Sequence, residues 1–195
     1  MTSRIPSPAP LNLAGYLLVA APDWEHALFG RAVCMVMHHS PQGAVGVVLN
    51  RHLPLPAEEL WSKLAPHQPL PSGPRLHFGG PQAGPVVALH NRQELAEYTS
   101  VEGVYLAAQV KNLQQLVASS NRATQVKIII GQADWGAGQL EQEFLAGKWL
   151  PLPVSPAVVF ADDSEMWGRA MFGVGDVFVA NVTGARVRPT DILTN

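Results

Sequence analysis

Residues 32–50 read AVCMVMHHSPQGAVGVVLN, two apolar runs of strand length on either side of the tetrapeptide SPQG. Runs rich in Val, Met and Leu at this length read as strands, and Pro41 followed by Gly43 is a tight-turn composition. The stretch therefore predicts an antiparallel hairpin. Upstream, GYLLVA (15–20) is a further strand of the same kind, behind an opening MTSRIPSPAPLNLAG that holds prolines at 6, 8 and 10. That opening has no sustained hydrophobic segment, so it is expected to be a frayed leader over 1–14 and not a secretory signal.

Downstream, PAEELWSKL (56–64) spaces Leu60 and Leu64 four apart behind Pro56 and predicts a helix. APHQPLPSGP (65–74) is an exposed loop by composition. RLHF and PVVALH flank the turn GGPQAG as short strands, GVYLAA (103–108) is another, and NLQQLV (112–117) fits a helix. QVKIII (125–130) is the most apolar strand and is read as central. AVVF (157–160) reads as one more strand, and SEMWGRAMFG (164–173) as a helix with Ser164 as cap and Gly173 as stop. A hairpin before residue 100 and alternating strands and helices after it predict one α/β or α+β domain over 15–175, with a mixed, curved sheet. The stretch 176–195 carries no clear assignment.

Composition narrows the function. At 195 residues the chain buries roughly 70% of its unfolded surface, and its 14% charged residues are well below the usual quarter. No apolar run reaches the length of a membrane span. The single cysteine, Cys34, fits a cytoplasmic chain, since one thiol makes neither an internal disulfide nor a cysteine-based metal site. Four lysines and nine arginines are scattered, with a net charge of −2, so the clustered cationic footprint of duplex binding is missing. Direct binding to nucleic acid is not expected.

Three segments in one order resemble the YqgE/AlgH family: LFGRAVCMVMHHSPQGAVGVVLNR (28–51), FGGP (78–81) with ALH (88–90), and GQADWGAGQLEQEF (131–144) followed by KWL (148–150). The resemblance covers about residues 15–175. It implies a single α/β unit with a curved mixed sheet, and it brings a loose transcriptional-regulator label without an established biochemical activity. The chain departs from the family pattern at Met37 and His38, where many members have a cysteine and an acid, so thiol chemistry there is impossible. The turn after Gly80 is also one residue shorter and lacks an Asp-Arg pair.

The glycine-rich turn at 131–138 has two readings. It can present backbone N–H groups to an anion at a helix start, or it can be a structural turn in which Asp134 caps the helix through the N–H groups of Gly136 and Ala137. Asp134 and Glu141 oppose a phosphate, which favours the cap. Neither GxxxxGK[ST] nor GxGxxG is present, so those nucleotide cradles are excluded. With Trp135 in the first helical turn, Gln139 and Glu143 would continue one polar column beyond Gly138. His38 and His39 point to opposite faces of a strand and cannot chelate together, while His39, His77 and His90 lie near strand ends. No metal and no cofactor are expected. Cys34 is a buried hydrophobe by position, and no serine sits in GxSxG.

Two function classes follow. The first is a non-enzymatic module that binds a small molecule or a protein and acts indirectly in regulation, with Asn50, Gly79, Gly80, Pro81, Trp135, Gly138 and Gln139 as candidate ligand contacts. The second is an enzyme with His39, His90 and Glu143 as acid–base candidates in a His/Asn/Glu cleft. The first is preferred, as a monomer or weak homodimer.

Overall fold

The structure is a computed structural model, and it describes residues 12–53, 59, 62, 76–119 and 124–183. The 32–50 stretch forms β2 (Val33–Ser40) and β3 (Gly43–Val48), antiparallel with Ser40 opposite Gly43. β1 (Tyr16–Ala20), β9 (Ala133–Gly136) and β10 (Trp149–Pro153) complete an antiparallel sheet in the order β10-β1-β2-β3-β9. A second sheet, in the order β4-β8-β5-β7-β6, contains β4 (Leu76–Phe78), β5 (Val87–His90), β6 (Tyr98–Val101), β7 (Val104–Ala107) and β8 (Val126–Ile130). Only β4 and β8 run parallel in it. The fold is α+β, with the strands divided between two sheets.

Period-two alternation sorts the side chains into layers. Leu17, Val19, Val33 and Met35 join Val87, Leu89, Val104 and Ile129 in one core cluster fed by both sheets. Their neighbours Leu18, Ala20, Cys34 and Val36 turn to the opposite face of the first sheet. There they pack with Trp135, Trp149 and Leu140 of helix α2 (Gln139–Leu145). Helix α1 (Val110–Ala118) lays Leu113, Leu116 and Val117 on the outer face of the second sheet, against Ala88 and Ile128. Met166 and Ala170 bring helix α4 (Asp163–Thr183) into the shared core. Burial pushes the Cys34 thiol up, so it remains a neutral apolar filler.

Several local expectations are corrected. AVVF is not a strand: Pro156–Val159 is a short helix, α3, with Pro156 in its first turn, the position where a missing N–H costs nothing. The 164–173 helix begins and ends elsewhere. Asp162 is the capping residue, its Oδ1 accepting the Ser164 N–H at 3.0 Å and the Ser164 hydroxyl at 2.7 Å. The helix continues through the buried Gly173 to Thr183. Asp134 and Trp135 are in β9, opposite Val45 and Ala44, so Asp134 caps no helix and Trp135 is not in a helical turn. β8 is interior to its sheet, between β4 and β5. The 56–64 helix and the 65–74 loop lie outside the described residues, apart from Glu59 and Ser62, which are helical. Among the described residues no helix is long and apolar enough to cross a membrane.

Candidate functional site

The 131–149 region is built around one carboxylate. Gly138 enters α2 at φ 72°, a left-handed conformation that glycine adopts without strain. That turn swings the helix back over β9. Glu143 then lies under two indoles: its Oε2 accepts the Trp135 Nε1–H at 3.0 Å and the Trp149 Nε1–H at 2.9 Å. Its Oε1 accepts the Gln139 Nε2–H at 3.0 Å, while Gln139 Oε1 accepts the Gly136 N–H at 3.1 Å. Burial works to raise the Glu143 pKa, but these three donors outweigh it and hold the carboxyl below its usual range. Trp135, Gln139 and Glu143 do meet, through mutual hydrogen bonds that use both carboxylate oxygens.

His39 is buried beside this group. Its Nδ1 accepts the Leu13 N–H at 3.0 Å, which leaves the proton on Nε2 to be donated to Glu141 at 3.1 Å. The imidazole thus ties the segment before β1 to α2. Gly79 and Gly80 pack directly against the 131–132 backbone. A Cβ on Gly79 would lie 2.1 Å from the Gly131 carbonyl oxygen, and Gly80 has φ 151° with Gln132 at 2.3 Å. Pro81 follows, exposed. His90 sits in the second sheet, with Nδ1 accepting the Arg92 N–H at 3.2 Å. Burial pushes its pKa down, and among the described residues its Nε2 has no hydrogen-bond partner.

A second polar centre forms where the two sheets and α4 meet. His52 follows β3, His77 is in β4, Lys127 is in β8 and Asp163 opens α4. Asp163 Oδ2 lies 2.9 Å from His52 Nε2 and 3.1 Å from His77 Nε2, while its Oδ1 pairs with the Lys127 ammonium. Lys127 Nζ is also 3.3 Å from His77 Nε2 and 3.5 Å from the Leu49 carbonyl oxygen. Burial raises the Asp163 pKa, yet His77 and Lys127 overcome it and hold the carboxyl far below the usual carboxylate range. His77 and Lys127 are buried, whereas His52 is exposed. The His52, His77 and Asp163 donor atoms all lie within 4.8 Å of one another, a spacing open to a metal ion.

This centre borders an open cleft of about 600 Å³ between 30–31, 50–52, 162–164 and Trp167. Arg31 stands on its wall at φ 56°, a conformation uncommon outside glycine. Asn50 holds it there: its Oδ1 accepts the Val33 N–H at 3.0 Å and its Nδ2 donates to the Arg31 carbonyl at 2.9 Å. The Arg31 guanidinium lies 5.5 Å over the Trp167 ring, which is fixed in turn by its Nε1–H to the Ala20 carbonyl at 2.9 Å. Arg51 donates to the carbonyls of Asn50 and Gly30. Among the described residues no carboxylate pairs with Arg31.

The AlgH-like family, DUF179, matches residues 17–177. The chain belongs to the AlgH-like family. Relatives named UPF0301 protein include one from Chlamydia caviae, 33% identical over 85% of this chain and 88% of its own length. Another, from Burkholderia vietnamiensis, is 32% identical over 89% and 94%. The solution structure of the AlgH protein from Pseudomonas aeruginosa superposes with TM-score 0.67 at 26% identity, covering 93% of this chain and 98% of that one. A Corynebacterium diphtheriae protein shares the fold at TM-score 0.66 and 24% identity, over 83% and 86%. The resemblance carried by the hairpin, the Gly-Gly-Pro turn and the 131–144 segment is thus the family relationship itself.

Of the residues singled out in this AlgH-like chain, His39, Trp135, Gln139 and Glu143 gather around α2, Asn50 borders the cleft, and His90 belongs to neither group. Arg31, His52, Lys127, Asp163 and Trp167 form no motif together in the sequence and meet only in the fold. One sign of them was visible: a lysine inside the apolar run VKIII must find a partner if the strand is buried.

Proposed function

We propose that this AlgH-like chain is a binding module, not a catalyst, and that its cleft takes a small ligand bearing an anionic group. One observation carries the reading: Arg31, held in a strained conformation by Asn50, presents its guanidinium on the face of Trp167 beside an open cleft. Strain of this kind persists where surrounding contacts over-determine it, and it gathers at ligand sites. A guanidinium backed by an indole suits a planar or anionic group. The two acids lining the cleft are both engaged, Asp163 by Lys127 and two imidazoles and Asp162 by the N–H and hydroxyl of Ser164. Of the three acid–base candidates, Glu143 and His39 are spent on Trp135, Trp149, Gln139, Leu13 and Glu141, and His90 stands apart from both in the second sheet. Any regulatory role then runs through the ligand or a protein partner and not through DNA.

The test is a thermal-shift panel of inorganic phosphate, sugar phosphates and nucleotides against neutral sugars, on wild type and Arg31→Ala. A ligand at a hundred times its dissociation constant stabilises by about 2.7 kcal/mol, a rise of roughly 5–10 °C at this size. The reading expects that rise from an anionic class with wild type and its loss in Arg31→Ala. Equal shifts from neutral sugars, or a full shift kept by Arg31→Ala, would sink it.

A further inference from the structure

We infer that His52, His77 and Asp163 form a binding site for one divalent transition-metal ion of zinc-like preference. No metal is expected from the sequence, where His38 and His39 cannot chelate together and His77 is grouped with His39 and His90 near strand ends; the structure instead sets His77 beside His52 and Asp163. It does not depend on the anionic ligand.

Two imidazoles and a carboxylate are the donor set that borderline ions such as Zn²⁺ take, with one position left open to water or ligand. In a tetrahedral site with bonds of about 2.0–2.1 Å, neighbouring donor atoms are roughly 3.4 Å apart. Here Asp163 Oδ2 is 2.9 Å from His52 Nε2 and 3.1 Å from His77 Nε2, so each imidazole need only draw back from the carboxylate by a few tenths of an ångström, and all three donor atoms lie within 4.8 Å of one another. Their supports are firm. His77 is buried in β4 and bridges to His52, and Asp163 is the first residue of a 21-residue helix. His52, exposed at the cleft, supplies the way in.

Lys127 sets the terms. Its ammonium holds Asp163 through Oδ1 and leaves Oδ2 for the ion, the kind of outer contact that orients a ligating carboxylate. It also sits 3.3 Å from His77 Nε2. When the ion binds, the Nε2 protons that His52 and His77 donate to Asp163 leave for solvent or for the other ring nitrogen, and the freed His77 Nε2 lone pair takes the metal in place of the ammonium. Lys127 keeps Asp163 and the Leu49 carbonyl. The nearby positive charge lowers affinity below that of a closed structural zinc site, which makes the ion exchangeable.

The experiment is a calorimetric titration of the full chain with Zn²⁺ alone, in a buffer that does not chelate, for wild type, His52→Ala, Asp163→Asn and His38→Ala. His52 is exposed, so its replacement leaves the fold intact, and the metal-free melting temperature verifies this. The expected result is one Zn²⁺ per wild-type chain, affinity at least tenfold lower in His52→Ala and Asp163→Asn, and a wild-type curve for His38→Ala. Absence of saturable uptake by wild type, or undiminished affinity in a correctly melting His52→Ala, would overturn the site. Transfer of the loss to His38→Ala would overturn it equally.

Discussion

Glu143 and Asp163 are both carboxylates drawn partly out of water beside a helix, yet opposite kinds of partner hold them. Glu143 meets two indole N–H groups of buried tryptophans and the amide of exposed Gln139, all neutral, and neither indole can leave without stranding a buried donor. Asp163 meets an ammonium and two imidazoles, one of them open to the cleft. A neutral donor set closes a carboxylate into the architecture. A charged and titratable set leaves it able to trade one partner for another. That contrast is why the 131–149 region reads as a fastening and the Asp163 region as a site.

The comparison breaks first on stability. Replacing Lys127 by Ala leaves Asp163 without the one permanent cation it pairs with among the described residues, and we expect a loss of about 3 kcal/mol, read as a melting point lower by roughly 6–12 °C. A loss below about 0.5 kcal/mol would mean that the pair is as cheap as a surface one. Next comes Glu143→Ala, which strands the buried N–H groups of Trp135 and Trp149 and should cost about 2 kcal/mol by chemical denaturation. If Glu143→Ala melted like wild type, the fastening would lie elsewhere in the region.

Acid sharpens the contrast. Both carboxyls have folded pKa values below their unfolded ones, so each contributes stability that is present above the unfolded value and lost as pH falls through the folded value. The window therefore opens below about pH 4. Asp163 is the more depressed, so Asp163→Asn should flatten the stability–pH curve there more than Glu143→Gln does. A steeper curve in either variant would reverse the sign of the argument. The smallest effect is Arg31→Ala, within about 0.5 kcal/mol of wild type by denaturation because the side chain is exposed. A larger loss would make Arg31 a structural residue.

The fold was legible where short-range chemistry decides it. The 32–50 pattern carries its own turn, and the alternating Leu17/Leu18 and Val33/Cys34 faces follow from period two. What stayed hidden depends on competition between distant parts. GQADWG looks like a turn because of its glycines, but Gly43 and Ala44 of β3 pair with Gly136 and Trp135 and draw it into the sheet. AVVF is too short for periodicity to separate strand from helix, and Pro156 settles the matter in favour of a helix start. Gly173 costs a helix about 1 kcal/mol without ending it. Trp135, Gln139 and Glu143 were found together because they sit within eight residues of one another. Lys127 lies 50 positions from His77 and 36 from Asp163, and the pairing of β4 with β8 joins them, which no local pattern encodes.

The most direct test of the cleft as the functional site is a ¹H–¹⁵N NMR titration with the phosphate-bearing ligand that gives the largest thermal shift, following the indole N–H signals of the five tryptophans. The account predicts that the Trp167 indole and the amides of 30–31, 50–52 and 162–164 move and saturate together, while the Trp135 and Trp149 indoles, locked on Glu143, remain in place. Movement of Trp135 and Trp149 with a stationary Trp167 would contradict it and return the site to the 131–144 turn.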